Sequence, residues 1–119
     1  MRSLTIVLAA LLAALPHSVR AEGDGVTIGE MMENCQKPDG HFFQTYCFTY
    51  VGAVLDVQTL YKLSLGPSSP KACVPPTVLS RQAAAVFVLW AASNPARHHL
   101  PAAVGIVESM AAAFPCSAP

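Results

Sequence analysis

The segment HFFQTYCFTYVGAVLDVQTLYKL, residues 41–63, has the clearest helical pattern in the chain. Its apolar residues recur at spacings of four, three, four, three and four, which is the period of one face of an α-helix. This predicted stripe consists of Phe43, Cys47, Tyr50, Val54, Val57 and Tyr61. Glycine inside a helix costs about 1 kcal/mol relative to alanine, so we expect a close helix crossing at Gly52-Ala53. Tyr50, Gly52 and Asp56 form a predicted helix-packing motif, in which Asp56 either binds a helix end or is solvated.

A shorter helix is predicted before this segment, over residues 28–35. Thr27 is a suitable N-cap because its hydroxyl can accept a hydrogen bond from the first turn, and Glu30 completes a capping box. After the long helix, residues 66–76 contain four prolines. Proline removes a backbone donor and disfavours helix in the residue before it, so this stretch is predicted to be an extended connection.

A third helix is predicted over residues 78–93, with Thr77 as its N-cap. Ten consecutive apolar residues, 83–92, lie inside it. A helix that is apolar on all sides is normally buried on all sides. Either this helix is central in the bundle or one face is an oligomer interface, and Phe87 and Trp90 are the predicted dimer contacts.

The last helix is predicted to begin near Pro101, because proline is well tolerated in the first turn. Its predicted buried stripe consists of Ala103, Val107, Met110 and Phe114. No segment shows the strict alternation of a half-exposed strand. The predicted fold is therefore an all-α bundle of about four helices.

The N-terminus has the pattern of a secretory signal peptide. Arg2 is followed by an unbroken apolar run over residues 6–15, and small residues surround a predicted cleavage point after Ala21. The run is shorter than the roughly 20 residues that a bilayer span requires. We therefore expect residues 1–21 to be a signal peptide and residues 22–119 to be the exported helical domain, located in the periplasm.

Composition excludes several classes of protein. The 119 residues carry seven basic and seven acidic side chains, so there is no basic excess with which to bind nucleic acid. Charged residues make up only 12% of the chain and apolar residues 53%, which is unlike a disordered chain. The length is too small for two ordinary domains.

The four cysteines, Cys35, Cys47, Cys73 and Cys116, are typical of two disulfides in a small exported protein. A zinc site is the alternative, but the chain lacks the close Cys or His pairs that zinc sites usually contain. Four cysteines permit three pairings. In an up-and-down bundle the start of the third helix and the end of the fourth lie at the same end, which favours Cys73–Cys116 and leaves Cys35–Cys47.

Catalytic chemistry is nearly absent from the sequence. The exported part has three histidines, His41, His98 and His99, and adjacent helical residues do not share a face. A cysteine nucleophile requires a free thiol, and all four thiols are expected to be oxidised. The chain is therefore predicted not to be an enzyme and to bind no cofactor or metal.

Three parts of the chain resemble the Tai/Rap immunity proteins, antitoxins of type VI secretion amidase effectors. The first is Cys47-Phe48-Thr49-Tyr50 with Asp56, and the second is Cys73-Val74-Pro75 before Thr77. The third combines Asn94-Pro95, Arg97-His98, Leu100-Pro101-Ala102 and Phe114-Pro115-Cys116. The resemblance covers roughly residues 28–116. The chain departs from the family pattern where Ala53 replaces the usual glycine and Gly52 precedes it.

The resemblance implies a periplasmic, all-helical protein, often a homodimer, that occludes the active-site cleft of a peptidoglycan amidase toxin. By analogy, the link formed by Asn94, Arg97, His98 and His99 is the predicted toxin-binding loop, and an ordinary connection between helices is the alternative. Two other functions remain open at this point. A small periplasmic chaperone and a hydrophobic-ligand carrier are also built as disulfide-linked helical proteins.

Overall fold

The computed structural model describes residues 25–116, and the predicted signal peptide lies outside them. The helices are α1, Ile28–Cys35; α2, Phe42–Leu65; α3, Ser80–Ala92; and α4, Ala102–Ala113, with a 3₁₀ turn at Pro95–Arg97. Each α-helix contacts the other three. Between residues 25 and 116 there is no strand, only one isolated bridge between Thr27 and Pro101. The predicted all-α bundle is confirmed.

The start of α1 is fixed by the predicted capping box. Glu30 N donates to Thr27 Oγ1 at 3.3 Å, and Thr27 N donates to the Glu30 carboxylate at 2.9 Å. The hydrogen bond from the Thr27 backbone and that from its hydroxyl lower the pKa of Glu30, because both stabilise the charged carboxylate. Both ends of α1 agree with the sequence prediction.

The predicted disulfide pairing is confirmed. Cys35–Cys47 links the end of α1 to the second turn of α2, and Cys73–Cys116 links the proline-rich connection to the residues after α4. Beside the second disulfide, Cys73 N donates to the carbonyl oxygen of Phe114 at 2.9 Å. The first disulfide joins two consecutive helices across 12 residues, and the second joins the end of α4 to a segment 43 residues earlier.

The face of α2 that is buried differs from the predicted stripe. The buried residues are Cys47, Val51 and Gln58. Phe43, Val57 and Tyr61 are exposed, so the prediction was wrong for the ends of the stripe. The reason is that α2 carries apolar residues on two faces, and spacing alone does not say which face the bundle covers.

The close helix crossing predicted at Gly52 is present. A Cβ atom at this position would lie 2.8 Å from Ser80 Oγ, at the first residue of α3. Ala53 points away from this crossing and is exposed. Gly52 therefore brings the middle of α2 against the N-terminus of α3.

Helix α3 begins later than predicted and is not buried on all sides. Residues 75–78 form a turn, in which Val78 N donates to the Pro75 carbonyl, and the helix begins after it. Thr77 is therefore not the N-cap. The cap position is Leu79, whose N–H donates to the Gln82 side chain at 2.8 Å. Leu89 is 71% exposed, so α3 has one buried face and one face in water.

Helix α4 buries Met110 as predicted, but the rest of its buried face lies beside the predicted stripe. Its enclosed residues are Ala102, Gly105, Ile106, Ser109 and Met110. The predicted Ala103, Val107 and Phe114 are only half-buried. Gly105 explains the shift, because the absent side chain lets α4 approach the side chains of Ile28 and Phe87.

None of the helices found in residues 25–116 is both long and apolar enough to cross a membrane.

Candidate functional site

The link between α3 and α4 holds the four residues of the predicted toxin-binding loop. Its first residue, Asn94, stabilises the end of α3. The Asn94 side-chain amide donates to the Trp90 carbonyl at 2.7 Å, and its backbone N–H donates to the Ala91 carbonyl at 3.0 Å. Both bonds satisfy carbonyl groups that have no partner inside the helix.

Arg97 joins the link to α4 and to α3. Its guanidinium forms a two-point ion pair with the Glu108 carboxylate, in which Nη2 donates to Oε1 at 2.8 Å. The guanidinium carbon also lies 5.6 Å from the centre of the Trp90 ring, within the range of a cation–π contact. A planar fork is suited to both contacts at once. The Arg97 guanidinium therefore contacts residues of its own chain.

His98 connects the link to α3 and α1. Its Nε2 lies 2.8 Å from the carbonyl oxygen of Ala91, so this nitrogen carries the proton and donates. The His98 carbonyl accepts a hydrogen bond from Gly29 N at 3.1 Å. A Cβ atom on Gly29 would lie 3.2 Å from His98 Cβ, so the glycine permits this close contact.

The C-terminal part of the link is bonded to the start of α1. Ile28 N donates to the Leu100 carbonyl, and Ala102 N donates to the Val26 carbonyl, both at 2.8 Å. His99 lies between these contacts and is exposed. Of the four residues predicted to contact a toxin, three hold the link in place and His99 presents its side chain to solvent.

The two predicted dimer residues lie in different environments. Phe87 is fully enclosed in the core of the single chain, where it approaches Gly105. It has no accessible area with which to contact a partner. Trp90 is half-buried beneath Arg97. The large apolar side chain that α3 exposes is that of Leu89, which was not among the predicted dimer contacts.

Two of the three residues of the predicted helix-packing motif line a groove that the sequence did not reveal. The groove has a volume of 610 Å³ and runs between α2 and the proline-rich connection. Gly52 and Asp56 line it, whereas Tyr50 packs against the core on another side of α2. Gln58 holds the two walls together, because its side-chain oxygen accepts from Lys71 N at 2.8 Å. The sequence signal for this connection was a glutamine in a mainly apolar helix, and the structure shows that this glutamine is buried.

Chemically, the link offers hydrogen-bonding and packing groups rather than a reactive set. All four cysteines are in disulfides, so none supplies a thiolate nucleophile. Across residues 25–116, no three His, Cys, Asp or Glu side chains cluster as a metal site would require. What the arrangement provides is a fixed surface element, with three anchored residues around one exposed histidine.

The family model described as Rap1a immunity proteins matches residues 27–116 of the chain. The chain belongs to this family. No curated protein and no solved structure matches the chain significantly.

Membership in the Rap1a family means that the chain is an immunity protein for a secreted toxin. Members of this family are typically non-enzymatic, and membership implies a toxin as the binding partner. The matched region begins at the α1 cap and ends at Cys116, so it includes both disulfides and the whole link between α3 and α4. The resemblance drawn from the sequence motifs is thereby confirmed at the level of the family.

Proposed function

We propose that this Rap1a family member is a periplasmic immunity protein that inhibits a peptidoglycan amidase toxin of a type VI secretion system. It blocks the toxin by occluding the active-site cleft, and it acts without catalysis of its own. The observation that carries the proposal is the family match over residues 27–116. The protein acts as a homodimer.

The proposed periplasmic location is supported by two independent features. Two disulfides and no free cysteine are typical of an oxidising compartment. The first 21 residues have the basic, apolar and small-residue pattern of a signal peptide, which is removed after Ala21. Peptidoglycan lies in the same compartment, so a toxin that cleaves it would meet the exported protein there.

The toxin-binding element in this proposal is the link between α3 and α4, with His99 at its exposed point. The link is held by bonds to α1, α3 and α4, so little conformational freedom is lost when it enters a cleft. Loops on rigid scaffolds commonly carry binding functions. In this interpretation Asn94, Arg97 and His98 position the loop, and His99 makes the contact.

The test begins with a search for a peptidoglycan amidase gene beside the gene for this protein, and the product of that gene is purified. The two purified proteins are mixed at equal concentration, and the release of peptidoglycan fragments is measured. Near-complete inhibition is the expected result. If the amidase remains fully active and no complex is detected by calorimetry, the proposed function is wrong.

The role of the loop is tested by His99→Ala, with Arg81→Ala as the matched control. Both residues are exposed, but Arg81 lies at the opposite end of α3. Truncation of a hot-spot residue at the centre of an interface costs about 2 kcal/mol or more, which weakens binding by roughly 30-fold. If both variants bind the toxin as tightly as the unchanged protein does, the loop is not part of the interface.

A further inference from the structure

Helix α2 carries a second apolar face that points into solvent. Six residues on it follow the spacing three, four, three, four, three, which places them along one side of the helix. We call this the α2 stripe: Phe43, Tyr46, Tyr50, Ala53, Val57 and Leu60. Tyr50 is half-buried and the other five are exposed. The stripe contains no charged residue, and in all of α2 only Asp56 and Lys62 are charged.

The area of this face is large for a single chain. Phe42 and Tyr61 flank the stripe, and together with Phe43 and Tyr46 their side chains are between 38% and 74% exposed. With about 200 Å² for each aromatic side chain, these four expose about 400 Å². The largest apolar patch on an ordinary monomer is about 300–600 Å², and such patches are often functional.

The order of residues in the α2 stripe is complementary to itself. Reversal of the helix direction maps the spacing onto itself, and it pairs Phe43 with Leu60, Tyr46 with Val57 and Tyr50 with Ala53. Each pair sets an aromatic ring against a smaller aliphatic side chain, as interdigitated packing requires. A two-fold dimer interface needs such self-complementarity, because the same surface serves both copies.

The C-terminal turns of α2 give a further reason for a second copy. Every residue from 59 to 65 is exposed, and Leu60, Tyr61, Leu63 and Leu65 are among them. In the reversed arrangement these turns cover the exposed rings at the start of the partner's α2. Two copies would remove about 800 Å² of ring surface from water. This is about two-thirds of the roughly 1,200 Å² of a small stable interface, before the aliphatic residues contribute.

We infer that the α2 stripe is the homodimer interface, with the two α2 helices antiparallel about a two-fold axis between Tyr50 and Ala53. This inference rests on the proposed homodimer, and it does not depend on the identity of the toxin. It replaces α3 as the dimer surface, because Phe87 is enclosed within one chain.

The test compares Leu60→Glu on the α2 stripe with Leu89→Glu on α3. Both are exposed helical leucines, so the two variants introduce the same charge at the same kind of site. Protein expressed from the complete sequence is purified with its disulfides formed and studied by sedimentation equilibrium without toxin. We expect a dimer for the unchanged protein and for Leu89→Glu. Leu60→Glu should weaken the dimer at least about tenfold, because it buries an unpaired charge.

The register is tested by mixing Leu60→Glu with Phe43→Lys, since these positions face each other in the inferred dimer. Each variant alone should be largely monomeric, and their mixture should form a heterodimer. Circular dichroism confirms that each variant is folded. A monomeric unchanged protein at micromolar concentration, or a dimer disrupted by Leu89→Glu and not by Leu60→Glu, would overturn the inference.

Toxin inhibition is measured separately on the same variants. A dimer built on the α2 stripe that fails to inhibit any amidase would leave this inference standing and refute the proposed function. A monomeric protein whose inhibition is abolished by Leu60→Glu would assign the stripe to the toxin and overturn the inference.

Discussion

Replacement of Gly105 by alanine should destabilise the bundle, although alanine is the better helix former. A Cβ atom at residue 105 would lie 2.7 Å from Cδ1 and Cγ1 of Ile28 and 3.2 Å from Cε2 of Phe87. All three residues are buried, so the added methyl has no free space. Overpacking of this kind costs about 1–3 kcal/mol. Contacts as short as 2.7 Å place this variant in the upper half of that range, at about 2–3 kcal/mol. Helix propensity returns about 1 kcal/mol, so we expect a net loss of about 1–2 kcal/mol.

The matched control is Gly52→Ala, which makes the same change in the middle of α2. There the new Cβ would meet chiefly Ser80 Oγ, at 2.8 Å. A serine hydroxyl can rotate away, so the gain in helix propensity should leave this variant as stable as the original or more stable. For a domain of this size, 1 kcal/mol corresponds to about 4–8 °C in Tm. Thermal unfolding followed by circular dichroism should therefore separate the two variants.

The cause of the loss can be checked with Ile28→Val, which removes the Cδ1 atom that a methyl at 105 would strike. The double variant should lose less stability than the sum of the two single variants, by at least about 0.5 kcal/mol. Strict additivity would show that the contact with Ile28 is not responsible. Gly105→Ala with an unchanged or raised Tm would refute the packing argument itself.

Three further predictions follow from the charges and disulfides. Because hydrogen bonds from Thr27 hold the pKa of Glu30 below its ordinary value of 4.5, this carboxylate stabilises the fold above that pH, and the contribution disappears as pH falls through the lowered pKa. When the free energy of unfolding is measured at several pH values, Glu30→Gln should be less stable than the original protein at neutral pH. The difference should vanish in acid. Replacement of Cys73 and Cys116 together by alanine opens a link between residues 43 apart and should cost about 4 kcal/mol in urea unfolding. Arg97→Lys should cost less than about 1 kcal/mol in the same assay, because its ion pair with Glu108 is half-exposed.

The elements that local chemistry determines could be predicted from the sequence. The capping box at Thr27 and Glu30 requires only two residues three apart, and it fixed both the start and the cap of α1. The disulfide pairing followed from the order of the helices, because an up-and-down bundle brings Cys73 and Cys116 to one end. The all-α class followed from helical spacing and the absence of alternation. These features depend on few residues or on topology alone.

The choice of buried face could not be predicted, because it depends on neighbours distant in sequence. Helix α2 offers two apolar faces of similar spacing, and Gln58 is enclosed only because the connection after Gly66 returns to it through Lys71. The roles inside the predicted loop were hidden for the same reason. Arg97 and His98 look like free polar residues in the sequence, yet their partners are Glu108 on α4 and a carbonyl of α3.

The bonds between the start of α1 and the link before α4 have a consequence for the order of folding. Ile28 and Ala102 make their backbone bonds with residues more than 70 positions away along the chain. The first helix can therefore reach its final packed position only after the last helix has been synthesised. Cys35 and Cys47 can be oxidised early, because both lie in the first half of the chain, whereas Cys73 must wait for Cys116. Formation of the second disulfide should thus report completion of the bundle, and a chain truncated before α4 should remain open to proteolysis and to mispairing of Cys73.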